Sequence, residues 1–279
     1  MTFLERLHAA VAERGALCVG IDPHPALLAG WGAGYEIEGA DASGAAVQAL
    51  ERFGRTVVEA AAGRVAVVKP QVALFEAHGS AGMLALERVL AEARGAGLLV
   101  IADAKRGDIG STNAGYADAW LRAGSPLEAD ALTVSPYLGV GALDGLLATA
   151  EAAGKAVFVL AATSNPEAAE LQLARLPDGR TVAAAVADAV AERNARTGAG
   201  HGLVIGATLD RTAYGLEPTA STPVLAPGFG AQGASLAALH ELFPADALVL
   251  ASASRSILQA GPQRLADAID AARAELPTR

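Results

Sequence analysis

Eight short apolar runs, separated by longer segments of helical period, constrain the fold of this chain more than any other feature. The runs fall at residues 16–21, 65–69, 98–102, 131–134, 156–160, 202–205, 223–226 and 247–251. They are nearly continuous rather than alternating, as expected of parallel strands covered on both faces. Helical candidates lie between them at 45–62, 81–96, 113–123, 181–197 and 236–242, with Ser80 and Ser235 placed to cap two of them. Eight strands with interleaved helices in 279 residues fit an α/β (β/α)8 TIM barrel better than an open sheet. No composition shift marks a linker, so residues 1–279 read as a single domain. Residues 27–44 and 165–180, richer in Gly, Pro and polar side chains, read as insertions.

A chain that is 52% hydrophobic and 18% charged builds a large core without difficulty. Its net charge of −9 argues against a nucleic-acid or anionic-membrane partner, both of which favour a basic face. A small anionic ligand is still allowed, because it responds to a local site. Cys18 is the only cysteine, so no intrachain disulfide forms and a reducing compartment fits. No apolar stretch approaches the roughly 20 residues of a membrane span. The amphipathic start, with its acidic Glu5, is unlike a signal peptide. These features predict a cytoplasmic protein.

In a barrel, polar residues at the C-terminal strand ends form the active face. The first run ends in Asp22-Pro23-His24 and the second in Lys69-Pro70-Gln71. The third ends in Asp103-Ala104-Lys105-Arg106-Gly107-Asp108, and the fifth in Thr163-Ser164-Asn165. The seventh leads into Pro227-Gly228-Phe229-Gly230-Ala231-Gln232-Gly233 and the eighth into Ser252-Ala253-Ser254-Arg255. The N-terminal strand ends offer no comparable collection, so the chemistry is expected at one rim.

Asp103 and Lys105 are two apart and would share one side of a strand. Lys69 and Lys105 are two of only three lysines, and both follow apolar runs, as if an ammonium rather than any cation were wanted there. With Asp108 they suggest alternating charges, each ammonium between carboxylates. Opposite charges about 4 Å apart regain about 4 kcal/mol at an effective dielectric near 20. Carboxylate neighbours favour the charged amine, which suits general-acid work and disfavours Schiff-base chemistry. A structural ion-pair network is the alternative reading. The glycine-rich segment 227–233, followed by Ser254-Arg255, has the makings of a phosphate site: backbone N–H groups free to approach an oxyanion, plus a fork of cationic donors. Alone, such a segment is as readily just a turn. Tyr137 and Trp120 are expected to pack, and no histidine spacing suggests a metal site.

Together D-A-K-R-G-D (103–108), V-V-K-P (67–70), P-G-F-G-A-Q-G (227–233) and S-R-S-I (254–257) resemble the orotidine 5′-phosphate decarboxylase family. The K-P-Q-x-A-x-F-E stretch at 69–76 and the length are closest to its longer bacterial, type 2, subgroup. The resemblance implies conversion of orotidine 5′-monophosphate to UMP and CO2 with no cofactor and no metal. It implies that Lys105 protonates C6, that Asp103 lies beside the substrate carboxylate, and that Lys69 and Asp108 complete the charge network and contact ribose. It further implies that Asp22 binds a ribose hydroxyl and Ser164 the pyrimidine amide, with Gln232 and Arg255 on the phosphate beside Gly228, Gly230, Gly233 and Ser254. A homodimer is implied, in which Asp108, Ile109 and Thr112 serve the neighbouring subunit's site. Rival readings are a metal-dependent sugar-phosphate lyase or epimerase, a Schiff-base aldolase, and a catalytically silent nucleotide-binding protein.

Overall fold

The computed structural model describes residues 1–32, 35, 44–230 and 233–277. Eight parallel strands close into a barrel in chain order: β1 (Leu17–Ile21), β2 (Val67–Pro70), β3 (Leu99–Arg106), β4 (Ala131–Val134), β5 (Ala156–Ala162), β6 (Gly202–Ile205), β7 (Val224–Pro227) and β8 (Val249–Ala253). All eight coincide with the apolar runs. The main difference is β3, which continues four residues beyond the apolar stretch and carries Asp103 and Lys105 within it.

The outer layer is built from helices including Ala45–Ala61, Gly79–Gly95, Gly110–Trp120, Asp144–Ala152, Val182–Thr197 and Leu265–Glu275. The expected caps were misplaced. Gly79–Gly95 begins before Ser80, and Ser235 precedes a single 3-10 turn without a side-chain bond to it. Thr2, Thr181 and Asp210 cap with their side chains instead, at the starts of Phe3–Arg14, Val182–Thr197 and Arg211–Tyr214. Part of the segment read as the first insertion, 33–34 and 36–43, lies outside the described residues. In the second, Ala169–Gln172 forms one helical turn, and Gln172 bonds back to Thr163 at the rim.

Strand side chains divide by parity. Val100, Ala102, Leu132, Val134, Val157 and Val159 pack outward against the helices. Cys18, Val67, Leu99, Ile101, Ala131, Phe158, Val204, Leu225 and Leu250 fill the barrel interior. The helix Phe3–Arg14 closes the N-terminal mouth over that interior: Phe3 meets Phe158 edge-on with ring centroids 6.1 Å apart, and Leu7 is fully buried. Burial pushes the Cys18 thiol up to about 12, so it packs as an apolar group.

The N-terminal strand ends are more polar than the sequence reading expected. Asp130 accepts from Arg6 Nη1 at 2.5 Å and from the Val100 amide at 2.9 Å. Lys155, the third lysine, is buried against Glu128 at 2.8 Å. His201 Nδ1 accepts from the Val157 amide at 3.2 Å, leaving Nε2 to donate to Glu151 Oε1 at 3.0 Å. Burial, opposed by Glu151, lowers the His201 pKa from its ordinary value. These groups pair with one another under the closing helix, which is why they show no open rim. Among the described residues, no helix is long and apolar enough to cross a membrane.

Phe158 is fully buried between the interior and the closing helix. Phe158→Ala is therefore expected to lower the unfolding free energy by about 3–5 kcal/mol in urea titrations. A loss below about 1 kcal/mol would mean that this ring does not fill the barrel floor.

Candidate active site

The inward rows turn from apolar to polar as they approach the C-terminal rim. On β2 the row is Val67, Lys69, then Gln71; on β3 it is Leu99, Ile101, Asp103, Lys105; on β4, Ala131 then Thr133; on β8, Leu250, Ser252, then Ser254. Period-2 alternation thus places the polar residues above a dry floor.

Asp103 is the centre of the site. Its Oδ2 accepts from Lys69 Nζ at 2.8 Å and Gln71 Nε2 at 3.2 Å. Its Oδ1 accepts from Lys105 Nζ at 2.5 Å and Thr133 Oγ1 at 3.0 Å. Asp103 and Lys69 are buried, whereas the Lys105 side chain is 46% exposed and faces the mouth. Burial alone would raise the Asp103 carboxyl, but the adjacent Lys69 and Lys105 charges hold it well below the usual carboxylate range. Burial alone would likewise lower Lys69, but Asp103 and Asp22 outweigh it and hold the amine above the ordinary lysine range. The structure thereby corrects the expected alternation: one carboxylate lies between two ammonium groups.

Lys105 has a φ of +48°, the only positive φ on a non-glycine residue among the described positions. Such a conformation costs on the order of 1–3 kcal/mol and needs support from its surroundings. The strand register shifts between Ala102 and Arg106, and the Lys105 amide donates to Thr133 Oγ1 at 3.0 Å. Arg106 turns aside to pair with Glu76.

A cavity of about 380 Å³ opens above these groups, lined among others by Asp22, Lys69, Asp103, Lys105, Gly228 and Arg255. Ser254 Oγ donates to Asp22 Oδ2, while Asp22 Oδ1 is buried with no hydrogen-bond partner among the described residues. On the far side, the loop after β7 folds back on itself. The Gly230 amide donates to Ala234 O at 2.8 Å, and the Ala234 amide to Gly228 O at 3.1 Å. Gly230 (φ +72°) packs so closely on Ser256 that a Cβ would overlap its hydroxyl. The loop is thus seated against the turn that carries Arg255. Gly233 closes it, with its amide donating to Gly230 O at 3.0 Å. Gln232 lies outside the described residues.

Four expected residues, Asp108, Ile109, Thr112 and Ser164, do not line the cavity. Asp108 does not join the Asp103 cluster of its own chain; its Oδ1 accepts from the Ile109 amide. Ile109 is 62% exposed, and Thr112 is exposed on the helix that follows. Asn113 pins this segment by accepting from the Asp108 amide at 3.0 Å and donating to Ala142 O at 2.8 Å. Tyr137, expected to pack, is 76% exposed on the neighbouring loop, whereas Trp120 is buried. Ser164 is exposed beside Gly206 at the end of β6, and Thr163 lines the cavity in its place.

Sequence reasoning gave no role to Thr133, Gln71 or Asn113. The first two could have been found by continuing the inward period-2 rows from Ala131 and Val67. Asn113 leaves no such signal, because its role depends on where the loop after β4 lies.

The protein-family model described as "Orotidine 5'-phosphate decarboxylase / HUMPS family" matches residues 15–268. An orotidine 5′-phosphate decarboxylase of Salinispora arenicola is 54% identical over 264 residues, covering 94% of this chain and 91% of that one. One of Streptomyces coelicolor is 50% identical over 264 residues, covering 93% and 91%. A solved structure from Streptomyces avermitilis is similar with a TM-score of 0.88 at 49% identity, covering 99% of this chain and 94% of that one. The OMP decarboxylase of Leishmania donovani gives 0.74 at 29% identity, covering 98% and 99%.

The lowered Asp103 pKa contributes stability that is complete above the unfolded value near pH 4 and is lost as pH falls towards the folded one. The raised Lys69 pKa contributes stability that is complete below the unfolded value near pH 10 and is lost as pH rises through the folded one. Their joint contribution is flat from about pH 5 to 9. Within that window Lys69→Ala takes from buried Asp103 one of its two ammonium partners, leaving Lys105, and is expected to cost about 1–3 kcal/mol in urea unfolding. A change under about 1 kcal/mol would show the pair to be uncoupled from stability.

Proposed function

The chain belongs to the orotidine 5′-phosphate decarboxylase / HUMPS family, and on that premise we propose that it converts orotidine 5′-monophosphate to UMP and CO2 without a metal or cofactor. The observation that carries this reading is Asp103 held between Lys69 and Lys105 in a cavity that also reaches Arg255. A sugar-phosphate lyase using a divalent metal would typically carry a carboxylate where Lys69 stands, and the ammonium there favours decarboxylation.

In this reading the substrate phosphate binds Arg255, Gln232 and the backbone of Gly228, Gly230 and Gly233, with Ser254 holding Asp22 in place beside it. A guanidinium fork suits a dianion; the Gly230 and Gly233 amides close the loop internally, so binding through them requires the loop to reopen. Asp22 Oδ1, buried and without a partner, is available to a ribose hydroxyl, as is Lys69 beyond it. Ser164 at the rim takes the pyrimidine amide. The ring then presents C6 to the exposed ammonium of Lys105, with the substrate carboxylate towards Asp103. As the C6–carboxylate bond breaks, CO2 leaves and the electron pair remains on C6. Lys105 then delivers its proton there, giving UMP, and regains a proton from solvent. An ammonium already in place stabilises the developing anion without reorganising during the reaction. Binding of phosphate and ribose contributes remote energy to the ring chemistry.

We further assign a cytoplasmic, single-domain homodimer in which Asp108, Ile109 and Thr112 reach the partner's cavity. Support comes from the exposure of Ile109, Tyr137 and Leu138 on adjacent loops and from Asp108, whose Oδ1 accepts from the Ile109 amide and joins no bond of the Asp103 cluster. Such a placement would put a second carboxylate beside the Lys105 ammonium.

Purified protein is expected to remove the absorbance of orotidine 5′-monophosphate in excess EDTA; strict magnesium dependence would overturn the metal-free reading. Lys105→Ala is expected to lower kcat by at least 10³-fold while UMP still binds. Neither Lys105→Ala nor Asp108→Ala should turn over alone. Mixed and re-associated, they should recover about a quarter of wild-type activity, since half the dimers carry one intact site of two. Absence of recovery would place Asp108 in its own subunit's chemistry or in none.

A further inference from the structure

We infer that Thr133 is a positioning residue for Lys105, acting through its hydroxyl on both the backbone and the counter-ion of that lysine. The inference rests on the decarboxylase reading above and adds to it a residue that touches no substrate.

Thr133 Oγ1 is within hydrogen-bond reach of two groups, the Lys105 amide at 3.0 Å and Asp103 Oδ1 at 3.0 Å. An amide can only donate, and an ionised carboxylate can only accept. The hydroxyl therefore accepts from Lys105 N–H and sends its single proton to Asp103. The Lys105 Nζ donates to the same carboxylate oxygen at 2.5 Å. A closed ring results, running from the Lys105 amide through Thr133 to Asp103 and back to the Lys105 ammonium. Both ends of Lys105 are thereby referenced to one carboxylate.

The backbone explains why the ring matters. Lys105 occupies the left-handed region at φ +48°, where an L-residue relaxes unless it is held. The β3–β4 ladder pairs Ala102 with Leu132 and Arg106 with Val134, and its register shifts between these two points. Thr133 stands opposite the interruption. Its hydroxyl accepts from the Lys105 amide within that interruption. It is 1% exposed, so bulk solvent has no ready access to take its place. Without the hydroxyl the Lys105 amide loses its acceptor and Asp103 loses one of four donors. The backbone is then free to turn, and the ammonium moves relative to the cavity.

The test compares wild type with Thr133→Val, which keeps the branched shape, Thr133→Ser, which keeps the hydroxyl, and Thr133→Ala. Steady-state kinetics on orotidine 5′-monophosphate, UMP binding and urea unfolding are measured for each. Thr133→Val is expected to lose on the order of 10² in kcat, with KM and UMP affinity within about 3-fold of wild type. Thr133→Ser is expected to return to within about 5-fold of wild-type kcat, a rescue that a purely packing role would not produce. A valine variant within about 3-fold of wild-type kcat overturns the inference, as does a loss confined to KM or a serine variant as impaired as valine. Failure of both valine and alanine variants to fold, with serine folded, also overturns it, because the hydroxyl would then be a requirement of the barrel. If the wild type itself does not turn over orotidine 5′-monophosphate, the decarboxylase reading falls, and this inference with it.

Discussion

One buried carboxylate organises the open end of this barrel. Asp103 takes four donors, two of them ammonium groups, from residues on or just beyond three adjacent strands. Removing such a charge from water is costly, and the cost is offset only when partners meet it with good geometry. That requirement couples elements far apart in sequence. The second strand must bring Lys69, the fourth must bring Thr133, and the third must distort so that Lys105 returns to the same oxygen. The left-handed conformation at Lys105 is a consequence of this arrangement and has no local cause in the residue itself.

The two ends of the barrel handle polarity in opposite ways. At the floor, Asp130 with Arg6, Lys155 with Glu128 and His201 with Glu151 pair among themselves beneath the Phe3–Arg14 helix. Their charges are paired with one another. At the rim, Asp22 keeps a buried oxygen without a partner, and Lys105 extends into a cavity shared with Arg255. A group satisfied only by a ligand is what separates a binding site from a structural ion-pair network. Both ends are rich in charge, so charge alone does not distinguish them.

Particular residues mark how far a reading of the sequence carries. Asp103, Lys69 and Lys105 were legible because charged residues seldom end apolar runs, and Asp22, Gly228 and Arg255 because the barrel collects strand ends at one rim. Thr133 escaped because a threonine inside a short apolar strand looks like ordinary β-propensity; only its inward parity sets it apart. The floor cluster escaped for a different reason. Its members belong to segments such as Phe3–Arg14 and Asp144–Ala152, which meet only when the barrel closes. Tyr137 reads as a packing residue because aromatics usually are, yet its loop turns it towards solvent.

The sequence by itself determined the eight strands, their parallel burial, the rim at which chemistry collects and the residues that give this chain its family membership. These follow from local patterning, whose period and composition a chain carries regardless of its folded state. Only the tertiary structure decided that one carboxylate serves two ammonium groups, that Lys105 adopts a left-handed backbone, and that Asp108 turns away from its own cluster. Each depends on which side chains become neighbours when β2, β3 and β4 pair in register. That pairing sets those distances, and no local pattern encodes them.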